Sequence, residues 1–244
     1  MTHSTHPFFL GLGLLGLAAI PNSLAADDSA SGTMVDEVET AIVEQTNDFR
    51  KENDLQPLAV DDDLTEAASK FARYMAETDK YGHNADGKTP AQRAQAAGYE
   101  YCVVRENIAY RTNTGEVTAD SLTEIFVQGW IDSPSHRENM AADYVTETGV
   151  GVATTDDVTY FAVQLFGRPE SAAYRIEISN RSGETQTIVV TANDSRDEFD
   201  LPPRGIVRMR RCFPSTIGLP GNDQEFSLTE SANLVIDDDG LSRK

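Results

Sequence analysis

Two histidines and one glutamate carry the chemistry open to this sequence. His83 and His136 are the only imidazoles beyond residue 25, because His3 and His6 lie in an N-terminal apolar leader. A neutral imidazole accepts a proton or binds a metal through its free ring nitrogen. His83 falls in the polar loop Gly82-His83-Asn84-Ala85-Asp86-Gly87. His136 is the third residue of a helix announced by Ser133-Pro134, a cap residue followed by a proline in the first helical position. The positive end of the helix dipole opposes an imidazolium there, so His136 is expected to be neutral. Together with a carboxylate such as Glu106, the pair has the donor types of a divalent-metal site with an open position, zinc being the example. The same trio has the groups for general acid–base work without metal. Two loop histidines that merely fill hydrogen bonds are the plain alternative, and spacing alone does not bring positions 83, 106 and 136 together.

The elements that must position these residues are legible from periodicity. Val35, Val38, Ile42 and Phe49 share one helical face, and that helix is expected to stop near Asn53. A second helix follows Asp61-Asp62-Asp63. Asp63 and Glu66 have capping-box spacing, and Leu64, Ala67, Ala68, Phe71 and Met75 form an apolar stripe. Thr89-Pro90 opens a short helix that Gly98 closes. Tyr101 to Tyr110 begins with strand composition, and Leu122, Ile125, Phe126 and Trp130 return to helical register. Trp130 completes that stripe and reads as core. Thr148–Ala153 and Val158–Phe166 read as a hairpin turning at Asp156-Asp157. Helices followed by a few strands imply an α+β layered domain.

Beyond Gly167-Arg168-Pro169 the pattern changes to short alternating strands, as in Tyr174-Arg175-Ile176-Glu177-Ile178. Such strands separated by turn signals predict a small β-sandwich or partial barrel. The organisation read from the chain is a signal peptide at 1–25, a disordered linker at 26–33, a first domain at 34–169, a small all-β domain at 170–237 and a flexible tail at 238–244. Arg204, Arg208, Arg210 and Arg211 form a basic cluster in the second domain. It reads either as a site for an anionic partner, such as an envelope polymer, or as pairing with nearby acids.

Composition bounds the function. The 244 residues carry 40 acids against 20 bases, a net charge of −20. Such a surface repels nucleic acid and anionic lipid, so neither is an expected partner. The run Phe8–Ile20 is too short and glycine-rich to span a bilayer, and no second run is long enough. Pro21 and Ser23-Leu24-Ala25 follow it in the order of a cleavable signal, with a cut after Ala25 or Ala26; a retained N-terminal anchor is the alternative. Export, secreted or periplasmic, makes a disulfide permissible. Cys102 and Cys212 are read as one bridge between the two domains, with two separate thiols as the alternative.

Several pieces then occur in order. They are Gly82-His83 with Asp86-Gly87-Lys88-Thr89-Pro90, Glu106-Asn107-Ile108-Ala109, and Trp130-Ile131-Asp132-Ser133-Pro134-Ser135-His136-Arg137-Glu138-Asn139-Met140. Gly149-Val150-Gly151-Val152 and Gln164-Leu165-Phe166-Gly167 complete the set. Over about Ile42 to Phe166, this resembles the CAP superfamily (the SCP domain of cysteine-rich secretory, antigen 5 and pathogenesis-related 1 proteins) in its bacterial form. The resemblance implies a three-layer α–β–α sandwich whose central cleft is lined by His83, Glu106 and His136. It also implies that Asn107 holds local backbone, and that Ser133 stands where many relatives have a second glutamate. That missing acid weakens metal-dependent catalysis. The expected function is therefore a secreted, non-catalytic binding or interaction module for a small molecule, lipid or peptide, with no cofactor required. A metal-dependent, peptidase-like hydrolase using His83, Glu106 and His136 is the first alternative, and a structural envelope protein is the second.

Overall fold

The computed structural model describes residues 1, 24–113, 115–192, 195–221 and 224–244, with backbone alone over 24–31. The apolar run 8–20 of the expected leader lies outside them. Nine elements make the first half: α1 (Leu24–Glu52), β1 (Ala59–Val60), α2 (Asp62–Thr78), α3 (Pro90–Ala97), β2 (Tyr101–Thr112), α4 (Ala119–Asp132), α5 (Pro134–Met140), β3 (Glu147–Ala153) and β4 (Thr159–Pro169). The strands form one sheet in the order β1-β3-β4-β2, antiparallel except for the short parallel β1–β3 pair.

Side chains alternate across a strand, and β4 uses that alternation to feed two cores. Phe161, Val163 and Leu165 meet Leu64, Phe71 and Met75 of α2 on one face. Tyr160, Ala162 and Phe166 meet Ile42 of α1 and Leu122, Phe126 and Trp130 of α4 on the other. A sheet buried on both faces between helices is the three-layer α–β–α sandwich expected from the sequence.

Two glycines set the spacing of one interface. A Cβ on Gly149 would collide with the backbone of Leu64 and Thr65, and one on Gly151 with that of Ala68 and Ser69. The α2 backbone therefore lies directly on β3. The helix is capped by Asp61, whose Oδ1 accepts from the Leu64 amide at 2.9 Å, and not by Asp63. Asp61 holds the extended backbone that a cap needs, while Asp63 sits in the first turn, where a carboxylate favours the dipole. Thr89 and Gln92 form the capping box of α3, and Gly98 closes it at φ 114°.

The second half is all β: β5 (Tyr174–Asn180), β6 (Gln186–Ala192), β7 (Ser195–Leu201), β8 (Ile206–Arg211), β9 (Ser215–Gly218), β10 (Glu225–Leu228), β11 (Ala232–Asp237) and β12 (Gly240–Arg243). Two four-stranded sheets, β10-β9-β6-β7 and β12-β11-β5-β8, enclose a core that includes Ile176, Ile178, Ile188, Ile217, Leu234 and Ile236. The sheets remain separate, so this is an open sandwich and not a closed barrel. Cys102 of β2 and Cys212, which follows β8, form the disulfide that ties the two halves together.

Two boundaries differ from the reading of the sequence. Residues 26–33, expected as a disordered linker, are helical within α1. The segment contains alanines and no proline to break the helix. Residues 238–244, expected as a tail, contain β12, which returns from Asp237-Asp238-Asp239-Gly240 to pair with β11. Leu241 is the apolar residue that draws it back, 2% exposed opposite Ile236.

Candidate functional site

The middle of β2 supplies the floor of the site. Glu106 is fixed there by antiparallel pairing with Leu165, and its side chain is 1% exposed. Each carboxylate oxygen has its own partner. Oε1 lies 2.8 Å from His83 Nδ1, and Oε2 accepts from Arg93 Nη2 at 2.6 Å. Arg93 comes from α3 and is itself buried, its guanidinium 3.5 Å above the Phe71 ring. It also donates to Asp86 Oδ1 at 2.9 Å and to the carbonyls of Lys88 and His83 at 2.9 and 3.0 Å. One side chain thus neutralises Glu106 and holds the backbone of the loop that carries His83.

The His136 helix is tied to the same strand. Asn107 Nδ2 donates to the His136 carbonyl at 3.1 Å. Asn139 returns the contact, donating to Asn107 Oδ1 at 2.8 Å and to the Glu106 carbonyl at 3.1 Å. At the far end of α5, the buried Arg50 donates to the carbonyls of Met140 and Ala142 at 2.8 and 2.9 Å. Three amide bonds and an arginine clamp therefore fix where His136 sits relative to Glu106. The expectation that Asn107 holds local backbone corresponds to these bonds.

Burial, and then the charge of His83, lower the pKa of His136 below its ordinary 6.5. The direction is the one read from the sequence, but the causes are desolvation and a neighbouring imidazole. Positions 83 and 106 are in direct contact, and 136 joins them through Asn107 and Asn139.

Ser133 links α4 to α5 through its backbone, its amide donating to the Trp130 carbonyl at 3.3 Å, and its side chain makes no cap bond. It supplies no carboxylate. Among the described residues, no three His, Cys, Asp or Glu side chains gather to hold a metal ion. Glu106 spends one lone pair of each oxygen on His83 and Arg93. What the geometry offers is a carboxylate orienting an imidazole through Nδ1. That leaves Nε2 as the remaining nitrogen of a ring that is half exposed.

Three residues of the site were missed in the sequence. Arg93 carried no signal beyond its place in a short helix. Tyr81 and Tyr110 read as ordinary loop and strand residues, yet they are 48% and 55% exposed and meet edge to face at 4.9 Å. Tyr110 also stacks on Phe161 at 6.0 Å. Burial, then Tyr110 and Glu106, raise the Tyr81 phenol, which donates to the Ile108 carbonyl at 3.1 Å. Trp130 Nε1 reaches the same carbonyl at 3.3 Å from within the core. An exposed aromatic pair therefore includes Tyr81, two residues before His83. Its only sequence signal was the Tyr-x-His spacing of residues 81 and 83.

The model of the cysteine-rich secretory protein family matches residues 43–166. An uncharacterized protein of Borreliella burgdorferi is 30% identical over 122 residues, which are 50% of this chain and 72% of that protein. The uncharacterized protein YkwD of Bacillus subtilis is 26% identical over 131 residues, 53% of this chain and 48% of that protein, so this chain spans about half its length. Among solved structures, an outer surface protein from Borrelia burgdorferi is 25% identical with a TM-score of 0.48, covering 55% of this chain and 94% of that one. An extracellular protein containing a SCP domain from Bacillus anthracis is 26% identical with a TM-score of 0.45, covering 55% and 41%.

Proposed function

The chain belongs to the cysteine-rich secretory protein family, and on that premise we propose that its α–β–α part is an exported binding module and not an enzyme. The observation that carries this is the state of Glu106. A general base must reach a substrate proton, and a metal ligand must offer a free lone pair. Glu106, its side chain 1% exposed and each oxygen already facing His83 or accepting from Arg93, is poorly placed for either role. What remains accessible is the half-exposed His83, the partly exposed His136 and the Tyr81–Tyr110 pair. Neutral imidazole gives one donor and one acceptor, and tyrosine gives apolar area with a polar tip. That combination suits a small molecule, lipid or peptide. The N-terminal leader and the Cys102–Cys212 bridge support export to a secreted or periplasmic location. Among the described residues, no helix is long and apolar enough to cross a membrane.

Native mass spectrometry of the full chain, purified from its own export route, tests this reading. A bound small ligand that is lost in His83→Ala/His136→Ala supports it. Identical ligand-free masses for both proteins oppose it.

One observation favours a second reading. A carboxylate on Nδ1 is the partner that metal-bound histidines commonly carry. His83 and His136 would then hold a divalent ion such as zinc, with Glu106 orienting His83. Zinc would supply a polarised water, as in a metal-dependent hydrolase. Zinc titration of the wild type and of His83→Ala/His136→Ala decides it, since equal affinities rule the site out.

A further inference from the structure

The outer face of the sheet β12-β11-β5-β8 carries a charge opposite to that of the rest of the chain. A groove of about 790 Å³ there is lined by Arg175, Arg208, Arg210, Arg243 and Lys244, with Glu177 as its one acidic lining residue. The whole chain has twice as many acids as bases. Cations still exceed acids when Glu170 and Glu230, which pair with Arg210 and Arg243, are counted with Glu177.

The register concentrates that charge. Arg175 of β5 lies directly across from Arg210 of β8, and Glu177 lies across from Arg208. Like charges opposite one another destabilise a sheet. Arginines on the edge strand β8 can be read as protection against edge pairing. That reading does not reach Arg175, because β5 is flanked on both sides by β11 and β8. Among the described residues, the Arg175 side chain has no ion pair, so the Arg175–Arg210 repulsion is relieved only on the Arg210 side, by Glu170.

We propose that this face docks a linear acidic polysaccharide whose carboxylates span Arg175, Arg208 and Arg210. The groove's own chemistry points to carboxylate. Arg208, Arg210 and Arg243 each already hold one, from Glu177, Glu170 and Glu230, at 2.7 Å. These pairs are exposed, and such pairs contribute little, so opening them to an outside carboxylate costs little. Residues two apart on a strand stand about 7 Å apart on one face, so the guanidinium groups form a ladder along an extended polymer. Double-stranded nucleic acid, with a charge about every 1.7 Å, sets more of its phosphates against the acids around the groove than a polymer with sparser carboxylates does.

The test is titration of the full chain with polygalacturonate, with neutral dextran and polyphosphate as comparators. Binding is expected at about 50 mM salt and should weaken as salt rises. It should weaken about tenfold in Arg175→Gln/Arg208→Gln, which removes two of the cations that would displace counterions. Arg196→Gln, on β7 of the opposite sheet, should bind as the wild type does. Arg175→Gln alone removes the like-charge opposition, should melt no lower than the wild type, and should still lose affinity. Equal affinity in the groove variants, absence of binding at low salt, or equal binding of dextran overturns the proposal. Tighter binding of polyphosphate overturns the assignment of carboxylate. A dimer that dissociates in the groove variants replaces the polysaccharide with a second copy of the chain.

Discussion

Arg93 donates to Glu106 Oε2 at 2.6 Å, on a carboxylate whose other oxygen faces His83. The arginine and the glutamate are 5% and 1% exposed, so the pair is shielded from water on both sides. Removing one partner of such a pair leaves an unmatched buried charge, which costs far more than the pair contributes.

Glu106→Gln should therefore lower unfolding stability by about 3 kcal/mol, because Arg93 keeps Asp86 but loses its buried counter-charge. Urea denaturation checks this. A loss below about 1 kcal/mol would mean that the contact is solvated or not formed in solution.

His136 sets a pH dependence. Its pKa is lowered in the folded protein, first by burial and then by His83. The unfolded chain therefore takes up a proton at a higher pH than the folded one. Stability from this group is constant above the ordinary imidazole value of 6.5 and falls as the pH drops below it, down to the folded pKa. His136→Asn should flatten the fall in melting temperature between neutral and mildly acidic pH. Parallel curves for variant and wild type would contradict this.

The disulfide closes a long loop, with 110 residues separating Cys102 from Cys212. Chain-entropy reasoning puts the stabilisation from so long a loop at about 5 kcal/mol. Cys102→Ser/Cys212→Ser should lose stability of that order and should be cut sooner by protease between β4 and β5. An unchanged proteolysis rate would show that packing alone holds the two halves together.

Gly151→Ala should destabilise the protein by about 3 kcal/mol, the upper range for overpacking a tight interface, because the new methyl group meets the α2 backbone and not a movable side chain. Gly129→Ala, inside α4 with open space around its Cα, serves as the control and should be neutral or stabilising. Equal melting temperatures for the two variants would mean that α2 stands further from β3.

Much of this was written in the sequence. The stripe from Leu64 to Met75 and the Thr89-Pro90 and Ser133-Pro134 starts are local signals, and local signals fix helices. The convergence of His83, Glu106 and His136 is not local. It came from resemblance; the structure shows His83 on Glu106, and the amide bonds of Asn107 and Asn139 tying the His136 backbone to the same strand. Arg93 was illegible because its role depends on Phe71 and Glu106, which meet it only after α2, α3 and β2 have packed together. The start of α1 was missed because a polar alanine-containing segment reads as linker until it proves continuous with an amphipathic helix. β12 was missed because acidic residues ahead of it outweighed the single apolar Leu241. Tyr81 and Tyr110 were missed because exposure is not a property of sequence.

The central claim is that His83 and His136 are the contact groups of a binding cleft. Labelling with diethyl pyrocarbonate, followed by peptide mass spectrometry, reads both rings directly. The full chain is compared as exported and after unfolding, extraction and refolding. The account predicts that both rings are protected in the exported protein and react faster once the bound molecule has been stripped. Equal rates at both rings in the two preparations would contradict it.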